Sequence, residues 1–123
     1  MAINLEKISA ILQNFVSSTN DVQGAALVTP DGLPLAATLP GGMDEERVSA
    51  MSAAMLSLGE RIGGELARGS IDRIYVEGNT GYGILTSCSE DAVFLVLASQ
   101  AAKQGLLLLE IKRAVTELKT LLQ

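Results

Sequence analysis

No histidine occurs anywhere in the 123 residues. That absence removes Ser-His-Asp and Cys-His catalysis, imidazole metal ligands and the commonest general base. Tryptophan is also missing, and Phe15, Phe94, Tyr75 and Tyr82 are the only aromatic residues. A core must therefore be assembled from Leu, Ile, Val, Ala and Met. The single cysteine, Cys88, cannot form a disulfide within its own chain, which fits a reducing compartment. It lies in an apolar alternating stretch and reads as a small core residue. No Cys-x-x-Cys pair exists, so a structural zinc site has no ligands.

Basic charge is scarce as well. Nine Lys and Arg stand against fourteen Asp and Glu, a net charge of −5. Proteins that neutralise phosphates need clustered cations, so neither nucleic acid nor an anionic membrane is expected as a partner. The longest uninterrupted aliphatic run, Leu106 to Leu109, is far short of the roughly 20 residues that span a bilayer. The segment MAINLEK has no signal-peptide apolar core and no myristoylation glycine. The expectation is a soluble cytoplasmic protein.

Phosphate-binding loops are missing too. There is no G-x-x-x-x-G-K-[ST] motif. The glycines of Gly78-Asn79-Thr80-Gly81-Tyr82-Gly83 run in the reverse order of the dinucleotide fingerprint and lie between two strands, so they read as a hairpin. Asp44, Glu45 and Glu46 suit the positive end of a helix dipole better than acid-base chemistry. No catalytic residue, metal ligand or cofactor site emerges.

What is present is a folded single domain over residues 1–123. Apolar residues make up 48% of the chain, and a domain of this length buries very roughly two-thirds of the surface its unfolded chain exposes. Leu5, Ile8, Ile11, Leu12, Phe15 and Val16 recur at helical spacing, predicting an amphipathic helix over about 3–18. GAALVT and LPLAAT flank Pro30-Asp31-Gly32, which predicts a hairpin. Pro34 has no N–H for a ladder, so the second strand should lie at a sheet edge. A long helix is expected over 44–68, then strands over 71–77, 82–88 and 92–98. The continuously apolar AVFLVLAS should be a central strand covered on both faces. A leucine-rich helix over 104–122 closes the chain, with Leu108, Ile111, Val115, Leu118 and Leu122 as its seam. The order is α-β-β-α-β-β-β-α.

The central helix is the most informative segment. On a helical wheel Val48, Met51, Met55, Leu58, Ile62 and Leu66 share one face, which is expected to pack on the domain's own sheet. Beside it runs a flank of small residues, Ser49, Ser52, Gly59, Gly63 and Ala67, with Leu56 among them. Gly59, Gly63 and Gly64 each cost about 1 kcal/mol relative to Ala in a helix interior. Such positions need a compensating close approach, either by the domain's own sheet or by a second copy of the helix. The remaining face mixes Glu46, Ala50, Ala53, Ser57, Gly64, Glu60, Arg61 and Arg68, lightly charged for a solvated surface and therefore a candidate docking surface.

The order of elements and the segment GAALVTPDGLPLAA (residues 24–37) resemble the Roadblock/LC7 family, especially its bacterial MglB-like branch. The resemblance implies an α+β, profilin/longin-like domain. Its five-stranded antiparallel sheet would carry the central helix on one face and the terminal helices on the other. It also implies a homodimer that pairs the central helix and the following strand. That places Ser52, Leu56, Gly59, Gly63, Ile71, Ile74 and Val76 at the interface. MglB-like proteins bind a small Ras-like GTPase (MglA-like) and stimulate its hydrolysis without an arginine finger. The expected docking residues are Glu46, Ala50, Ala53, Ser57, Glu60 and Arg61. No enzymatic activity of its own and no cofactor are expected. A passive dimeric scaffold is the alternative. The likeness is expected to stop at the third helix, without a long C-terminal extension, and so does not extend to exchange activity.

Overall fold

The computed structural model describes residues 3–122. Helix α1, Leu5–Ser18, starts where the Asn4 side chain accepts the Lys7 N–H at 3.1 Å. Strands β1 (Val22–Val28) and β2 (Pro34–Thr38) form the expected hairpin. Its turn is closed by the Gly32 N–H donating to the Thr29 carbonyl at 2.9 Å. Gly32 has φ +93, the left-handed region, and a β-carbon there would lie 3.1 Å from Cα of Ala50. The hairpin turn therefore sits directly against the central helix.

That helix, α2, spans Glu45–Glu65. Asp44 caps its start, accepting the N–H groups of Glu46 and Arg47 at 3.0 and 3.1 Å. Its end is a Schellman motif: the Arg68 N–H donates to the Gly63 carbonyl at 2.8 Å and the Ala67 N–H to that of Gly64 at 3.1 Å. Ala67 adopts φ 55 to allow this turn. Strands β3 (Arg73–Gly78), β4 (Gly81–Ser89) and β5 (Ala92–Ser99) follow, then helix α3, Gln104–Leu121.

The strands form one antiparallel sheet in the order β2-β1-β5-β4-β3. The all-apolar β5 is central, as its sequence predicts, and Pro34 lies on the β2 edge. Alternation along β5 splits the core in two. Phe94 and Val96 join Ile8, Leu12, Phe15, Ile84, Ile111 and Leu118 under α1 and α3. Val93 and Leu95 join Ala26, Val28 and Leu85 under α2, with Val48, Leu56 and Ile74 packed alongside. The rings of Phe15 and Phe94 meet edge-on at 5.5 Å. Cys88 is buried in the larger cluster, and burial pushes its thiol up to about 11 despite a downward pull from the Lys119 cation. The other edge of the sheet is β3.

Candidate protein-docking faces

The wheel of α2 is turned from the orientation its apolarity predicts. Met51, Met55, Leu58, Ile62 and Leu66, expected on the sheet, are all exposed; Leu66 is 61% and Met51 58% accessible. Of that face only Val48 packs on the core. The small-residue flank takes its place. Ser49, Ser52, Ala53 and Gly63 are buried, and Leu56 packs on the smaller cluster.

The glycines explain this orientation. A β-carbon at Gly59 would lie 2.5 Å from Cδ1 of Ile74, and one at Gly63 would lie 2.6 Å from Cδ1 of Ile71. Those isoleucines occupy the volume that helix side chains would have filled. The close approach required by the glycines is therefore made by the chain's own sheet. This arrangement sets Ser52, Leu56, Gly59 and Gly63, expected at a partner helix, against the sheet side of the protomer itself. It also turns the side chains of Ile71 and Ile74 inward, against α2.

Of the expected docking residues, Glu46, Ala50, Ser57, Glu60 and Arg61 are exposed. Ala53 is not. It is buried, with its β-carbon beneath the hairpin turn and 3.6 Å from where a β-carbon at Gly32 would stand. Arg68 is committed locally, its Nε–H donating to the Leu66 carbonyl at 2.9 Å. Gly64 has open space beside it.

Two features of the α2 side remain without a partner in the protomer. One is the stripe of large apolar side chains from Met51 to Leu66. The other is edge strand β3, where Tyr75 is 41% and Val76 49% exposed. Exposed apolar side chains clustered along one helix mark interaction surfaces, and an unpaired edge strand is a template for pairing. Among the described residues no group of three or more His, Cys, Asp or Glu could hold a metal ion. No helix among those residues is long and apolar enough to cross a membrane.

The stripe could have been found in the sequence by weighing size beside polarity. Ser49, Ser52, Gly59 and Gly63 recur at helical spacing, with Leu56 the one large side chain among them. A face that small suits flush packing on a sheet, which leaves the bulky apolar face for something else.

A sheet with one helix on one face and two on the other defines a profilin-like α+β domain. Residues 8–98 match the family model of the Roadblock/LC7 domain, and the chain belongs to that family. It is 30% identical over 106 residues to Uncharacterized protein MJ0310 of Methanocaldococcus jannaschii, spanning 86% of this chain and 92% of that protein. The fold is similar to that of Myxococcus xanthus MglB, with a TM-score of 0.90 at 18% identity over 99% of this chain and 92% of that one. A Roadblock/LC7 domain from Streptomyces avermitilis gives a TM-score of 0.86 at 19% identity, covering 93% of this chain and 96% of its own.

Proposed function

We propose that this chain is an MglB-like, homodimeric regulator of a small Ras-like GTPase, acting in the cytoplasm without an active site of its own. The exposed stripe of α2 beside the open β3 edge carries the reading. Two copies related by a two-fold axis would each cover the other's stripe and pair β3 with β3, extending the sheet. An isologous contact of this kind satisfies both features at once. In such a dimer the docking surface is the outer side of α2, formed by Glu46, Ala50, Ser57, Glu60 and Arg61, with Ala53 beneath it as support.

The resemblance to MglB-like proteins supports stimulation of hydrolysis by reshaping the GTPase's own catalytic groups. The absence of histidine and of a phosphate loop supports the division of labour: the partner binds and cleaves GTP, and this chain selects its state. The test is a titration with candidate small Ras-like GTPases, loaded with GDP or with a GTP analogue, followed by single-turnover hydrolysis. Selective binding of one nucleotide state by roughly 5- to 150-fold, the ordinary range of allosteric coupling, is expected. Equal affinity for both states would point instead to a passive scaffold. No binding in either state would contradict the proposal.

A further inference from the structure

The docking surface proposed on the outer side of α2 lacks a large apolar side chain. Glu46, Ala50, Ser57, Glu60 and Arg61 offer only small or charged groups. Protein interfaces draw most of their affinity from a few bulky anchors. The turn between β1 and β2 lies on the same flank of the helix. A β-carbon on Gly32 would lie 3.1 Å from Cα of Ala50 and 3.6 Å from Cβ of Ala53. Glu46 precedes Ala50 by one helical turn and Ser57 follows Ala53 by one, so both share the flank on which the β1–β2 turn rests. The exposed stripe from Met51 to Leu66 runs along the other flank.

The residue after Gly32 is Leu33, which is 62% exposed and belongs to neither core cluster. Main-chain bonds hold it in place. Its N–H donates to the Thr29 hydroxyl at 3.0 Å, and its carbonyl accepts the Thr29 N–H at 2.8 Å. The turn therefore presents a leucine side chain that it does not use for its own closure. An anchor fixed in advance loses little freedom on binding. Met43, 48% exposed, stands just before the Asp44 cap and adds apolar surface at the N-terminal end of α2.

The charge around these side chains has one sign. Over residues 29–33 and 43–50 the charged groups are Asp31, Asp44, Glu45 and Glu46, against Arg47 alone. The positive end of the α2 dipole offsets only about half a charge of that excess. The one ion pair among the described residues, Arg113 with Glu110, lies elsewhere.

We infer that Leu33 is the anchor of the docking surface, entering an apolar pocket on the GTPase whose rim carries Lys or Arg. The inference rests on the GTPase reading above and adds the chemistry of the partner's face. A rim of cations meets the carboxylates beside Leu33, which steers the encounter and fixes its orientation. A second copy would bring the same acidic corner against itself and be repelled. The β1–β2 turn also lies away from the α2 stripe, so the anchor stays open when that stripe is covered.

The probe is a panel of candidate small Ras-like GTPases carrying fluorescent GDP or a fluorescent GTP analogue, titrated with the full chain. Leu33→Asp should weaken binding by about thirtyfold or more, and Leu33→Ala by about fivefold or more. Leu106→Asp, at an equally exposed leucine (63%) on the opposite side of the sheet, should bind as the parent does. Asp31→Lys combined with Glu46→Lys should slow association and flatten its dependence on salt. Leu33→Asp should keep the parent's melting temperature, helicity and assembly mass, because its side chain is exposed and main-chain groups close the turn. Parent-like affinity in Leu33→Asp beside a loss in Ala50→Asp would overturn the anchor and leave the α2 surface standing. Faster association on charge reversal would overturn the basic rim. A fall in assembly mass with Leu33→Asp would make a second copy the occupant and overturn the site. A parent that binds no GTPase in either state would remove the GTPase reading and this inference with it.

Discussion

The β-carbon that Gly59 lacks would lie 2.5 Å from Cδ1 of Ile74, closer than packed carbons approach. The pair reflects the rotation of α2: its smallest side chains rest on the sheet and its largest face outward. The orientation then decides which surfaces are available for partners.

Three glycines within α2 should respond differently to alanine. Gly64 has nothing within 4 Å of a β-carbon, so Gly64→Ala should stabilise by about 0.5–1 kcal/mol through helix propensity. At Gly59 the obstacle is only the movable end of Ile74, and Gly59→Ala should be nearly neutral. A β-carbon at Gly63 would also lie 3.1 Å from the Gly69 carbonyl oxygen, which is backbone and yields less readily than a side-chain end. Gly63→Ala should lose about 1–2 kcal/mol, overpacking outweighing propensity. Thermal melts of the three variants should fall in that order.

Ala67 occupies the position where helices most often place glycine. Its φ of 55 closes the Schellman turn after α2, at a steric cost that glycine avoids. Ala67→Gly should raise stability by about 0.5–1 kcal/mol in denaturant unfolding with the slope unchanged. A loss would mean that this turn is not formed in solution.

Ser49 is buried between α2 and the sheet, and its hydroxyl has no hydrogen-bond partner among the described residues. Such a group costs about 1–3 kcal/mol. Ser49→Ala deletes it and improves helix propensity, so the melting temperature should rise by a few degrees. A fall would show that the hydroxyl bonds in solution.

Cys88 should be inert in the native protein. Burial raises its thiol to about 11 from an ordinary 9.0. At pH 8 a disulfide reagent should therefore label it only as fast as the chain opens. The unfolded thiol ionises first, so this group's contribution to stability is intact below pH 9 and is lost as pH rises towards 11. Fast labelling at pH 8 without denaturant would contradict its burial.

Much of this was legible in the sequence. All eight elements appear in order, because hairpin chemistry, alternation and helical periodicity are local signals. The rotation of α2 was not, since a helical wheel ranks faces by apolarity and takes no account of side-chain size. Ala50 and Ala53 are the same residue type three positions apart. Only the distant Gly32 turn decides that one is exposed and the other covered. Phase within Leu106 to Leu109 is equally hidden, because four leucines look alike. The expected seam took Leu108, which is half-buried, and omitted Leu107, which is buried. Ile71 and Ile74 turn towards α2 because the glycines there leave them room, which apolarity alone does not reveal.

The exposed stripe of α2 is the proposed self-association face, and sedimentation equilibrium of the parent chain beside Ile62→Asp tests it most directly. Ile62 is 49% exposed in the protomer, so a buried charge would arise only across an interface. The parent should sediment at twice the chain mass and Ile62→Asp as a monomer of unchanged helicity. A parent that remains monomeric at high concentration, or an Ile62→Asp variant that dimerises as tightly, would contradict the account.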